Sequence, residues 1–203
     1  LEIANEFRGD LLTTSIDRIA DVVAENYKLS ESGSSFTLKT PFGSCEIRTR
    51  LLGRHNIYNL ISAASAALIN GIALNDIEEG LSSIDQIPGR FEKVPCDKGF
   101  SVVVDYAHTD DALRSVLRAA QAFTPGRIIT VFGCGGDRDK GKRKAMGRVA
   151  TEESGFLIIT SDNPRTENPQ YILDDILEGI PSSMNLGEDY KVIIDRKEAI
   201  RFA

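Results

Sequence analysis

From residue 101 onward, four apolar runs are each followed by a helical pattern, and this alternation predicts an α/β fold. Strand-helix-strand units join through right-handed crossovers, so the sheet is expected to be Rossmann-like and mostly parallel. A second observation concerns the loops at the C-terminal ends of these runs, residues 105–108, 133–138, 161–165 and 195–196. All four are polar, and a doubly wound sheet would set them along one rim, where open α/β sheets bind ligands. A third observation is the break at Pro88-Gly89, which separates a differently patterned segment and places a domain boundary between residues 1–87 and 88–203.

The elements follow in order. Residues 35–40 and 44–49 alternate weakly and predict two short strands joined by a turn at Pro41-Phe42-Gly43. These first 50 residues are expected to be the looser part of the chain, with sheet partners upstream. Residues 56–70 are Ala-rich and apolar at helical spacing, with Gly71 placed as the C′ residue. Residues 77–84 predict a second short helix. Strands are expected at 101–105, 127–132, 156–160 and 191–195. Helices are expected at 110–123, 139–154 and 171–179, with another starting at Arg196. Asp110 and Asp111 fall in the first turn of their helix, where its dipole favours them.

Composition excludes several classes. The chain has 203 residues, 41% hydrophobic and 27% charged, which is ordinary for a globular protein. No apolar run approaches the length of a membrane span. Residues 1–10 mix charged and apolar side chains and do not resemble a signal peptide. The net charge of −6 argues against a general nucleic-acid binder. Cys45, Cys96 and Cys134 are odd in number and widely spaced. They suit a reducing cytoplasm, make neither a disulfide framework nor a zinc site, and are read as structural. The chain does not start with Met, so a piece of a longer protein is expected.

Chemistry concentrates in two loops. Asp162-Asn163-Pro164-Arg165 offers a carboxylate, an amide, a rigid proline and a guanidinium after an apolar strand. That set suits an amino-acid ligand, whose carboxylate a guanidinium takes bidentately. Asp-Asn-Pro is equally a common turn sequence. Gly133-Cys-Gly-Gly136 is a glycine-rich strand-to-helix turn that lets a ligand approach the backbone. It precedes six basic residues between 138 and 148 set against Asp137 and Asp139, a local excess of four positive charges. A solvated helix face and an anion site both explain such a run. His55 reads as a surface or capping residue. Tyr58, Phe91 and Tyr106 are candidates either for stacking on a base or for core packing.

Five stretches together resemble the Mur ligase family: Gly53-Arg-His-Asn-Ile-Tyr-Asn59, Pro88-Gly-Arg-Phe-Glu92, Val104-Asp-Tyr-Ala-His-Thr109, residues 132–143 and Asp162-Asn-Pro-Arg165. They are similar to the branch that adds the third residue of the peptidoglycan stem peptide. The resemblance implies a C-terminal Mur ligase domain over 88–203, incomplete at its end. Before it would come the tail of the central ATPase α/β domain over 1–87. It implies ATP-dependent amide formation: phosphorylation of the D-glutamyl carboxylate of UDP-N-acetylmuramoyl-L-alanyl-D-glutamate, then attack by the amine of meso-diaminopimelate. It assigns Arg138, Asp162, Asn163, Pro164 and Arg165 to the diaminopimelate site, with Arg138 and Arg165 pointing to one pocket. Asn56, Asn59, Arg90, Asp105 and His108 are assigned to one wall of an ATP cleft. ATP and Mg²⁺ are the implied cofactors, with metal ligands outside this chain. The partners implied are these small molecules, in a monomeric bacterial cytoplasmic enzyme, with no nucleic acid and no membrane. A GxxxxGK[ST] loop and the lysine that the family carbamylates are missing from these 203 residues, so the piece alone is expected to be inactive. A folylpolyglutamate synthase-like ligase and a non-catalytic Rossmann-like module binding an anionic metabolite are the alternatives.

Overall fold

The computed structural model of the chain describes residues 6–30 and 32–203. The sequence expectation for residues 1–10 falls in part on residues 1–5, outside the described residues. The chain divides into two compact units, one ending at Tyr106 and the other Ala107–Ala203.

The first unit holds a four-stranded sheet in the order β1 (Thr14–Ser15), β2 (Val22–Ser30), β3 (Gly33–Thr40) and β4 (Gly43–Thr49). β1 and β2 are parallel, and the other pairs are antiparallel. Alternation places Phe36 and Leu38 of β3 and Ile47 of β4 on the buried face. Two helices follow, α1 (Arg54–Ile69) and α2 (Leu74–Ser82). Ile57, Leu60, Ile61, Ala64 and Leu68 recur at helical spacing along α1 and pack into one core with the sheet and with Ile77 and Leu81 of α2. Each of the buried Ile and Leu side chains contributes about 1.5–3 kcal/mol by leaving water. α1 stops in a Schellman motif: Gly71, at φ 77°, donates to Leu68 O at 2.9 Å, and Ile72 donates to Ala67 O at 3.1 Å.

Two expectations change here. The hairpin at 35–49 is half of a larger sheet, because residues 22–30 form a long strand that weak alternation hid. β2 pairs with β3 inside the first 50 residues, so this sheet does not depend on upstream partners for those pairings. The apolar run near 101–105 also differs. It forms β6 (Val102–Val104), paired antiparallel with β5 (Glu92–Val94) in a separate two-stranded sheet. A short loop brings β5 and β6 together at low entropic cost, and this local partner takes the strand that the alternation assigned to the parallel sheet.

The second unit contains the expected parallel sheet, in the order β7 (Ile129–Phe132), β8 (Phe156–Ile159) and β9 (Tyr190–Val192). Its helices are α3 (Asp110–Phe123), α4 (Gly141–Glu153), α5 (Pro169–Leu177) and α6 (Arg196–Phe202). Their starts are written in the sequence. Thr109 Oγ1 accepts from Ala112 N at 3.2 Å, Asn168 Oδ1 from Gln170 N at 3.0 Å, and Asp195 Oδ1 from Glu198 N at 2.9 Å. Leu113 and Leu117 of α3, Met146 and Val149 of α4, and Leu173 and Ile176 of α5 close the core over Leu157 and Ile159.

Candidate functional site

Two neighbouring strands end in loops that touch. β7 runs into residues 133–140 and β8 into residues 160–168. Gly133 and Gly136 make the contact possible. A Cβ on Gly133 would lie 2.1 Å from Thr160 O, and one on Gly136 would lie 1.9 Å from Pro164 O. Gly136 N donates to Asn163 O at 2.8 Å, and Thr160 N donates to Phe132 O at 2.9 Å. The glycines are thus needed for close approach between two stretches of backbone.

Arg165 sits on this seam. Its Nη1 donates to Gly136 O, its backbone is left-handed at φ 51°, and the residue is exposed. Asp137 is also left-handed, at φ 52°. A non-glycine residue in that region is strained and persists where its surroundings over-determine it. Thr166 supplies part of that constraint, donating from Oγ1 to Asp137 Oδ1 at 2.8 Å and from its backbone N to Oδ2 at 3.2 Å. Arg138, on the facing loop, makes one long bond to Asp137 O at 3.4 Å. Among the described residues neither Arg138 nor Arg165 joins an ion pair. The rim therefore carries two exposed guanidinium groups without carboxylate partners. Asp162 differs, since Arg196 Nη1 donates to its Oδ1 at 2.9 Å. Asn163 and Pro164 serve the seam through their backbone.

Beneath the loops lies an ion network absent from the sequence reading. Arg143 is completely buried. It donates to both carboxylate oxygens of Glu167, at 3.0 and 2.7 Å, and to Asp175 Oδ2 at 2.8 Å. Glu167 Oε1 in turn accepts from Asp137 N at 2.6 Å. The Arg143 guanidinium and the Asp137 amide hold the Glu167 carboxyl down at about 2. Burial pushes the Cys134 thiol up to about 11.

The residues assigned to ATP distribute between the units. Asn56, Asn59, Arg90 and Asp105 belong to the first and His108 to the second. Asn56 is fully buried. It donates from Nδ2 to Leu52 O at 2.8 Å and accepts from Asn59 Nδ2 at 3.1 Å. Asn56 thus orients the exposed Asn59 and offers no surface of its own. Asp105 Oδ2 accepts from Phe91 N at 2.8 Å, which holds Phe91 in its left-handed backbone. The Arg90 guanidinium lies 5.3 Å above the Tyr106 ring. His108 is exposed, and its carbonyl oxygen accepts from Lys142 Nζ at 2.8 Å.

Residues 89–203 match the family model described as Mur ligase, glutamate ligase domain, and residues 1–67 match the Mur ligase middle domain. The chain belongs to the Mur ligase family. A UDP-N-acetylmuramoyl-L-alanyl-D-glutamate–2,6-diaminopimelate ligase from Bacillus cereus is 42% identical over 193 residues, which is 95% of this chain. Its counterpart from Gloeobacter violaceus is 48% identical over 189 residues, 93% of this chain. The chain spans about 38% of the length of each of these two curated relatives. A solved structure bearing the same enzyme name is 40% identical, has a TM-score of 0.55, and matches 94% of this chain with 39% of its own length. A folylpolyglutamate synthase from Thermotoga maritima has a TM-score of 0.65 at 22% identity over 90% of this chain and 42% of its own. At that identity the likeness is one of fold alone.

Several sequence expectations need revision in this Mur ligase chain. The basic run is largely a solvated face, with Arg138, Lys140, Lys144 and Arg148 exposed, and Arg143 is its exception. Arg143 is buried, Lys140 pairs with Glu167 at 3.4 Å, and Lys144 pairs with Glu178 at 3.6 Å. Acidic residues from 167–178 were too far along the chain for the local count to include. His55 neither caps α1 nor lies on the surface. It is half-buried, its ring centroid lies 6.0 Å from that of Phe91, and Nε2 is buried with no hydrogen-bond partner. Burial lowers its pKa, opposed by Asp105 and assisted by Arg90. Phe91 is buried, while Tyr58 and Tyr106 are exposed. Cys96 is exposed, unlike a structural cysteine. Among the described residues there is no group of three or more His, Cys, Asp or Glu side chains placed to hold a metal ion.

Proposed function

We propose that this chain is part of an ATP-dependent ligase joining meso-diaminopimelate to UDP-N-acetylmuramoyl-L-alanyl-D-glutamate in bacterial cytoplasmic peptidoglycan synthesis. The observation that carries this reading is Arg165. Its backbone is held left-handed, one nitrogen is anchored on Gly136 O, and among the described residues no side-chain carboxylate pairs with it. Such a guanidinium suits the second carboxylate that separates diaminopimelate from lysine. Arg138 supplies a second positive charge from the facing loop. Asp162, already paired with Arg196, limits where Arg196 can reach, and Asn163 with Pro164 fixes the loop. The names of these relatives agree with this substrate.

Asn59, Arg90 and Asp105 are proposed as the part of a nucleotide site that the first unit contributes, with Asn56 orienting Asn59. An exposed amide and a cation fit a purine edge and a phosphate. His108, in the second unit, is assigned to ATP by the family resemblance alone. ATP, when bound, supplies the phosphoryl group that activates the acceptor carboxylate. The chain's own residues bind and orient the incoming amine, which converts an encounter into a positioned attack. Mg²⁺ is proposed to be held outside this chain. The domain boundary is proposed at 87/88, supported by the matched domain that starts at residue 89, although 88–106 cluster with the first unit.

The test is Arg165→Ala in the full-length enzyme. Losing one partner of a desolvated charge pair costs about 2–5 kcal/mol, so KM for meso-diaminopimelate should rise tens-fold or more while KM for ATP stays nearly constant. Arg165→Lys should rescue poorly, because a point charge does not reproduce the planar fork. Unchanged preference for diaminopimelate over lysine in the Ala variant overturns the proposal.

A further inference from the structure

Four parts of the second unit meet at a single side chain. Arg143 lies in the first turns of α4 and has no exposed surface. Its two terminal nitrogens grip Glu167, which follows the Asp162–Arg165 loop, and Asp175, which lies on α5. Nη2 also reaches Gly135 O in the glycine loop, at 3.5 Å. Glu167 passes the constraint on: its Oε1 accepts from Asp137 N at 2.6 Å. Asp137 then binds Thr166, the residue beside Arg165. The contacts form one continuous path. It starts at Arg143, crosses Glu167 to Asp137, returns through Thr166, and ends at Arg165.

Both left-handed non-glycine residues of the second unit lie on this path. Asp137 and Arg165 have φ of 52° and 51°, values that non-glycine residues seldom hold without support. The glycine contact between Gly136 and Pro164 explains why the loops approach, but glycine imposes no conformation. Something else must select the left-handed state at these two positions. The Glu167 carboxylate does so at Asp137 by fixing its amide, and the Asp137 carboxylate does so near Arg165 by fixing the amide and hydroxyl of Thr166.

We infer that Arg143, acting through Glu167, is a positioning residue that sets the guanidinium of Arg165 for the amino-acid substrate. This inference rests on the assignment of that rim to diaminopimelate. Arg143 touches no ligand itself, since it is sealed beneath the loops. It determines selectivity indirectly, by holding the fork of Arg165 in one place. Lysine at 143 would keep the charge but cannot span Glu167 and Asp175 together, because an ammonium is a point donor and a guanidinium a planar one.

The experiment uses the full-length enzyme and steady-state kinetics with meso-diaminopimelate and with lysine. Arg143→Lys and the isosteric Glu167→Gln should each raise KM for diaminopimelate about ten-fold, because small misplacements of a binding group are costly. KM for ATP should stay within about two-fold, since none of the residues assigned to ATP belongs to this network. Thr166→Val, a milder change, should raise the same KM by a few-fold and keeps the test alive if Arg143→Lys does not fold. In a double-mutant cycle, Glu167→Gln should add nothing to the KM of Arg165→Ala, because both act through one guanidinium. Two failures are distinguishable. If Arg165→Ala leaves diaminopimelate selectivity intact, the assignment of the rim falls. If Arg165→Ala destroys selectivity while Glu167→Gln and Thr166→Val leave it intact, or if their effects multiply, the network is only structural and the inference is wrong.

Discussion

Gly136→Ala isolates the loop seam from its charges. The added Cβ would lie 1.9 Å from Pro164 O and 2.6 Å from Pro164 C. Real Cβ atoms essentially never come within 3.0 Å of another heavy atom, so the two loops must part by roughly 1 Å. The obstacle is backbone, and no side chain can swing aside. Parting the loops also strains the Gly136–Asn163 bond of 2.8 Å and the anchor of Arg165 on Gly136 O. Overpacking costs about 1–3 kcal/mol, and one lost hydrogen bond adds about 1 kcal/mol, giving roughly 2–4 kcal/mol. Gly135→Ala is the matched control. Its Cβ would meet Arg165 Nη1 at 3.5 Å and Asn163 O at 3.8 Å, ordinary contact distances. That variant should change stability by less than about 1 kcal/mol. Native-state hydrogen exchange at the β8 amides of Leu157, Ile158 and Ile159 reads the opening free energy of this unit in both variants. Equal exchange in the two variants refutes the account of the seam.

Three further outcomes follow from the structure. The Glu167 carboxyl is held at about 2 against an ordinary 4.5, so its contribution to stability is complete above 4.5 and is lost as pH falls toward 2. Urea unfolding across that window should show this slope, and Glu167→Gln should flatten it. Burial lowers the pKa of His55 from 6.5, so below 6.5 the unfolded chain binds the proton more readily and the first unit loses stability as pH falls. An NMR titration placing the His55 midpoint at or above 6.5 contradicts this. Ile61→Ala, in the middle of the first core with no exposed surface, should cost that unit about 2–5 kcal/mol by chemical denaturation.

Local rules carried much of the fold. The bounds of α3, the stop of α1 at Gly71 and the parallel order of β7, β8 and β9 follow from capping residues, one glycine and apolar runs within a dozen positions. The Asp162–Arg165 loop and the glycine loop were legible for the same reason: each is contiguous, and each follows a readable strand. What the tertiary structure decided are pairings between distant positions. β6 looked like a member of the parallel sheet, and its antiparallel partner β5 won because pairing depends on which edge is available, a property no single run encodes. Arg143 counted as one charge among six, and it became the buried centre of the rim because Glu167 and Asp175 arrive from 24 and 32 residues away. Asn56 and Asn59 read alike, yet helix rotation buries the first and exposes the second. The sequence by itself determined which chemical groups this Mur ligase segment carries and on which loops. Only the folded chain decided which charges are spent on one another and which remain for a ligand, because an ion pair is settled by distance in space and not along the chain.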